Sequence, residues 1–164
     1  MATWGADARY TRLVEEHGTS LLHLAIMMTG NRHDAEDVVQ DVLIKVASAW
    51  PVSQPVAYLK KSVANRAIDL IRKRHDVLTE HVPDVAYTDA GFLRHEENRQ
   101  FFAMVQQLPE KQRQTIVLRY HADLDDNSIA KMLGISVATV RSQAHHALNK
   151  LRASENAFSG KEEP

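Results

Sequence analysis

The chain is 164 residues long, carries a formal net charge of −1 and has charged side chains at 25% of its positions. That length holds one ordinary domain or two small ones, and the composition is that of a folded globular protein. Cysteine is absent, which excludes a disulfide framework and thiolate metal sites and fits a reducing cytoplasm; no apolar run approaches the roughly 20 residues of a membrane span.

The opening "MATWGADARY" lacks a charged segment followed by an apolar one, so no secretory leader and no membrane partner are expected. From Tyr10 the apolar positions follow helical spacing: Leu13, Val14, His17, Leu21, Leu24, Ala25 and Met28 lie on one face. Gly30-Asn31 ends this helix, and Asn31 can cap the next, whose first turns carry Asp34, Glu36 and Asp37. The second helix buries Val38, Val39, Val42, Leu43 and Val46 and runs toward Trp50. Its opposite face presents Asp37, Gln40 and Asp41, with Lys45 placed to offset Asp41. Such a face repels DNA and suits either solvent or a basic protein surface.

"PVSQP" interrupts the pattern, and Pro55 can open a third helix. This helix runs to about Arg74, with Val56, Leu59, Val63, Ala67 and Leu70 inward. Lys61, Asn65, Asp69 and Arg72 share a face at spacings of four, four and three, and Lys60, Arg66, Lys73 and Arg74 widen a cationic strip. Residues 59–75 carry a charge of +5, so the near-neutral total conceals segregated charge. The strip suits nucleic acid, whereas Trp50 and Tyr58 are expected in the core.

Residues 75–91 show no clean period and contain Pro83 and Gly91, and read as a flexible linker between two helical domains. From Phe92 a helix carries Phe101, Met104, Val105 and Leu108. Pro109 starts another, with Ile116, Val117 and Tyr120 inward. Asp125 or Asp126 caps a short helix through Ile129, Ala130 and Leu133. Gly134 turns the chain, Ser136 caps again, and Val137, Val140, Ala144, Ala147, Leu148 and Leu151 form the last stripe. The dozen residues after Arg152 read as a disordered tail with no room for a further domain.

"NSIAKMLGISVATVRSQAHHAL" has the parts of a helix-turn-helix: small Ala130 at the crossing, Gly134 at the turn, and Ile135 and Val140 in the joint. The outer face of its second helix offers Ala138, Thr139, Arg141, Ser142, Gln143, His145 and Asn149. No acid stands between Ala138 and Lys150. Arginine reads guanine and glutamine reads adenine through paired hydrogen bonds in the major groove. His145 and His146 point about 100° apart, so they do not share a metal as an i, i+4 pair would, and neutral imidazoles add little phosphate attraction.

Together, "AEDVVQDVLIKVASAW", "PVAYLKKSVANRAIDLIRKR" and "LPEKQRQTIVLRYHADLDDNSIAKMLGISVATVRSQAHHALNKLR" resemble, in this order, an extracytoplasmic-function (ECF) sigma factor of the sigma-70 family, over roughly residues 8–152. The resemblance implies an all-α fold of two small helical domains. Residues 1–74 would be a sigma region 2-like domain, 75–91 the linker, 92–152 a region 4-like helix-turn-helix domain and 153–164 the tail.

It implies that Asp37, Gln40 and Asp41 face core RNA polymerase. Lys61, Asn65, Asp69 and Arg72, with the loop at 51–57, would open the minus-ten element. Ser136, Ala138, Thr139, Arg141, Ser142 and His145 would read the minus-thirty-five element. Promoter DNA and core polymerase are the implied partners, and an anti-sigma factor is a further one that members commonly have. This chain departs from the family pattern at Ser128, Ala138, Gln143 and His146, which bears on the promoter sequence rather than on packing.

A stand-alone helix-turn-helix regulator is the alternative, although it needs only one reader. No cofactor and no catalysis are expected: glycine-rich phosphate loops, H-E-x-x-H and a cysteine nucleophile are missing. "DLDDN" begins like a calcium loop but has Ser128 at the turn glycine and Gly134 at the closing glutamate.

Overall fold

A computed structural model describes residues 7–77 and 96–159. Among the described residues there are seven α-helices and no strand. The chain divides into two compact units, Met1–Ala86 and Tyr87–Pro164.

The first unit contains α1 (Ala8–Thr29), α2 (Arg32–Ala49) and α3 (Pro55–Val77), each packed against the other two. Helix α1 starts where the Asp7 carboxylate accepts the Arg9 backbone N–H at 2.9 Å. It stops at Gly30, whose φ of 70° is left-handed and costs glycine little. Asn31 caps α2 by accepting the Asp34 N–H at 3.2 Å. Helix α3 begins at Pro55 and runs past the expected end at Arg74 to Val77. No glycine or proline interrupts residues 56–77, so nothing local stops the helix at Arg74.

The buried stripe of α3 is Leu59, Val63, Ala67 and Ile71, flanked by Ala64 and Ile68; Leu70, expected inward, is only partly covered. A constant spacing of four selects Ile71 rather than Leu70. Tyr58 also departs from expectation. Its ring is 46% exposed because it precedes the fully buried Leu59 by one residue and therefore points about 100° away.

Trp50, by contrast, is part-buried and anchored. Its indole N–H donates to the Asp7 carboxylate at 2.6 Å, and its ring lies 5.2 Å from that of Tyr10. The Tyr10 hydroxyl donates to the Leu43 carbonyl at 2.5 Å. This cluster joins the start of α1 to the end of α2.

The Arg9 guanidinium, with the Trp50 hydrogen bond in support, holds the Asp7 carboxyl down at about 2. A carboxyl depressed in the folded state binds fewer protons there than in the unfolded chain. Its contribution is therefore complete above the ordinary value of 3.8 and is lost as pH falls from about 4 toward 2. Trp50 fluorescence in a Trp4→Phe chain is expected to stay constant between pH 7 and about 4. In an Asp7→Asn variant it should already be red-shifted at pH 7, and an unshifted spectrum would remove the anchor.

The second unit contains α4 (Glu96–Gln106), α5 (Glu110–Tyr120), α6 (Asp126–Leu133) and α7 (Val137–Ser159). Residues 78–95, which include most of the segment read as a linker and the expected start of a helix at Phe92, lie outside the described residues. Leu108, Ile116, Ala144 and Ala147 form one core cluster, with Leu148 and Leu151 packed against it. In α4 it is Phe102 that is buried, whereas Phe101, expected on the inward side, is half-buried. Tyr120 was expected inward on the stripe of Ile116. It is 53% exposed, because it is the last residue of α5, where the packed stripe runs out.

Helix α7 continues beyond Arg152, where a disordered tail was expected, and reaches Ser159. Its sequence has no glycine or proline before Gly160, and Ala153, Glu155 and Ala157 are good helix formers.

Candidate nucleic-acid and polymerase interface

In the first unit the acidic face of α2 is built as its sequence suggested, with one difference. Asp37 and Gln40 are exposed, and Asp37 faces His33 one turn back at 3.8 Å. Asp41 is engaged by α3 rather than by Lys45: Arg66 donates to its Oδ2 through Nε at 3.2 Å and Nη2 at 3.1 Å. Lys45 instead lines a groove of about 230 Å³ between α2 and α3, with Tyr58, Asn65, Arg66 and Asp69.

Lys61, Asn65, Asp69 and Arg72 are all exposed along one face of α3. The wider cationic strip is thinner than its sequence implied. Arg66 turns inward to Asp41, while Arg74 pairs with Asp34 and donates to the Thr29 carbonyl at 3.3 Å. The outer face of α3 thus keeps the residues at four-four-three spacing, while two flanking arginines fasten α3 to the rest of its unit.

In the second unit α6, the turn at Gly134 and α7 form the helix-turn-helix. Asp125 is the cap of α6, accepting the Ser128 N–H at 2.7 Å. Gly134 takes the left-handed conformation at φ 68°, and its N–H returns to the Ala130 carbonyl. Ile129 and Val140 are fully buried and Ala130 nearly so. The Ser136 hydroxyl accepts the Thr139 N–H at 3.1 Å, starting α7.

Ser136, Ala138, Arg141, Ser142 and His145 are exposed, and Thr139 is half-buried. Asn149 bonds the His145 ring at 3.2 Å, and the rings of His145 and His146 meet edge-on at 5.9 Å.

Asp126 was a candidate cap, but it has another place. Its Oδ1 accepts from Arg119 Nη2 at 2.5 Å and Nε at 3.1 Å, and its Oδ2 accepts from Arg141 Nε at 3.4 Å. The Arg119 hydrogen bond, with Arg141 in support, holds the Asp126 carboxyl below its usual range. The "DLDDN" segment is therefore used for capping and for holding arginines.

Sequence reading missed Arg66, Tyr58 and Asp126 in these roles. Only Asp126 left a signal, as a second acid beside a sufficient cap.

The family model described as "Sigma-70 region 2" matches residues 13–76. The one described as "Sigma-70, region 4" matches residues 104–153, and the two together take in well over half of the chain. The chain belongs to the sigma-70 family, in its ECF class.

Its region 2 is the α1–α3 unit, and its region 4 carries the helix-turn-helix. The ECF RNA polymerase sigma factor SigE of Mycolicibacterium smegmatis is 29% identical over 87% of this chain, which spans 60% of that relative's length. The RNA polymerase sigma-E factor of Streptomyces avermitilis is 28% identical over 90% of this chain and is itself covered to 86%. A solved complex of the sigma factor RpoE with the anti-sigma factor NepR from Bartonella quintana shares the fold. Its TM-score is 0.60 at 19% identity, over 92% of this chain and 98% of that one.

This ECF sigma factor is therefore an all-α member of a class of non-catalytic transcription initiation factors that bind core RNA polymerase and promoter DNA. Among its described residues, no helix is long and apolar enough to cross a membrane.

Proposed function

We propose that this chain joins core RNA polymerase through Asp37, Gln40 and Asp41 and directs initiation by touching promoter DNA at two places. Lys61, Asn65, Asp69 and Arg72 are assigned to the minus-ten element. Ser136, Ala138, Thr139, Arg141, Ser142 and His145 are assigned to the minus-thirty-five element. Residues 1–74 and 92–152 are the working domains in this reading, and 75–91 is their tether. The chain itself performs no catalysis and works in the cytoplasm, where polymerase supplies the chemistry. An anti-sigma factor is its third partner, by analogy with the Bartonella quintana complex.

The observation that carries this reading is the separation of charge. One unit presents an acidic face on α2 and a polar, cationic face on α3; the other presents a reader helix without an acid between Ala138 and Lys150. A chain of net charge −1 has little general attraction for DNA. Two weak DNA contacts and a polymerase contact, linked in one assembly, multiply their effect through high local concentration.

Run-off transcription tests this. Purified chain, core RNA polymerase and fragmented DNA of the source organism are combined, and transcript starts are sequenced. The expected result is a set of chain-dependent starts sharing two upstream elements at fixed spacing. Tight promoter binding by the isolated chain at physiological salt, without new starts, would favour a stand-alone regulator.

A further inference from the structure

We infer that Asp126 is a positioning residue for base reading: it holds the Arg141 guanidinium by its Nε edge and leaves the two terminal nitrogens for DNA. The inference rests on the assignment of α7 as the promoter reader. Asp126 is the first residue of α6 and Arg141 lies in the second turn of α7, so the contact spans both helices of the motif.

The carboxylate is itself fixed. Arg119 takes Oδ1 with two N–H groups, at 2.5 and 3.1 Å, which turns Oδ2 toward Arg141. The side chains of Arg119 and Asp126 are 25% and 23% exposed, whereas that of Arg141 is 71% exposed. The assembly is thus a half-buried base carrying an outward arginine.

A guanidinium has five N–H donors in a planar fork. With Nε occupied, the paired Nη groups remain, and they are the edge that meets guanine N7 and O6. An untethered arginine on a reader helix can reach several bases or phosphates. A tethered one loses less freedom on binding and favours one geometry.

The same carboxylate places a negative charge near the DNA-facing helix and offsets part of the attraction of Arg119 and Arg141 for phosphates. Asp126 therefore has two opposite effects on DNA. It sharpens discrimination at one base position, and it weakens sequence-independent binding.

The test uses holoenzyme assembled from the full chain and core polymerase. It is offered a DNA library randomised across the upstream element, and bound DNA is sequenced. The base position flattened by Arg141→Ala defines the site read by that arginine. Asp126→Ala is expected to reduce preference at that same position by about threefold or more, within the range of coupled contacting pairs. It should also strengthen binding to random-sequence DNA. In the Arg141→Ala background, Asp126→Ala should change discrimination no further.

Loss of fold alone would weaken both kinds of binding together. Should Asp126→Ala unfold, Asp126→Asn keeps the shape while removing the charge, and the same shifts are read. A position flattened by Arg141→Ala but kept by Asp126→Ala or Asp126→Asn overturns the inference and leaves the reader intact. A wild-type holoenzyme that enriches no upstream element overturns the reader assignment and the inference with it.

Discussion

Reversing charge on α2 with Asp37→Lys and Gln40→Lys is expected to weaken core polymerase binding by about 100-fold, while melting stays at the wild-type temperature. Both positions are exposed, and Asp37 faces His33 one turn back at 3.8 Å, so neither substitution opens the core. Charge at a contact surface steers and registers the partner. Reversal replaces attraction with repulsion, and about 1.4 kcal/mol corresponds to each tenfold loss.

Asp41 is a poorer place to make this test, because it also holds Arg66 at 3.1 Å and its loss would disturb the α2–α3 junction. Titration of a labelled chain with core polymerase at two salt concentrations measures the effect. Unchanged affinity at both would move the polymerase contact away from α2.

The second large effect concerns the reader's support. Ile129→Ala is expected to destabilise the second unit by about 2–5 kcal/mol, the usual cost of removing a large buried aliphatic side chain. For a unit of this size that lowers the melting temperature by roughly 10 °C or more. Ile129 is 0% exposed in α6, and α6 packs against both α5 and α7. Its loss should weaken the platform that presents Arg141, so upstream-element preference is expected to fall along with stability. Thermal unfolding followed by circular dichroism gives the first quantity, and library selection gives the second. A loss below about 0.5 kcal/mol would mean that the joint is held mainly by Val140 and the turn.

The seven described helices were legible because their signals are local. Asn31, Pro55, Pro109, Asp125 and Gly134 mark starts and stops by satisfying, or lacking, backbone groups within three or four residues. The helical period then chooses the inward face. Where that rule failed, the reasons were small rotations or chain ends: Leu70 yielded to Ile71, and Tyr120 fell on the last residue of its helix. At α7, local propensity alone would have carried the helix past Arg152, as the structure does.

The candidate site was legible in part. Exposure of Asp37, Gln40, Lys61, Asn65, Asp69, Arg72 and the outer face of α7 follows from the same period. The division of cations between surface and interior does not. Arg66 reaches Asp41 across 25 residues, Trp50 reaches Asp7 across 43, and Arg141 reaches Asp126 across 15.

The sequence by itself determined an all-α chain, its caps and turns, its helix-turn-helix and its resemblance to ECF sigma factors, because spacing and residue type act over one or two helical turns. Only the tertiary structure decided which charges are spent on holding helices together and which face outward. Those partners meet where helices cross, and the angle and register of a crossing are set by all the packed side chains at once rather than by any one segment.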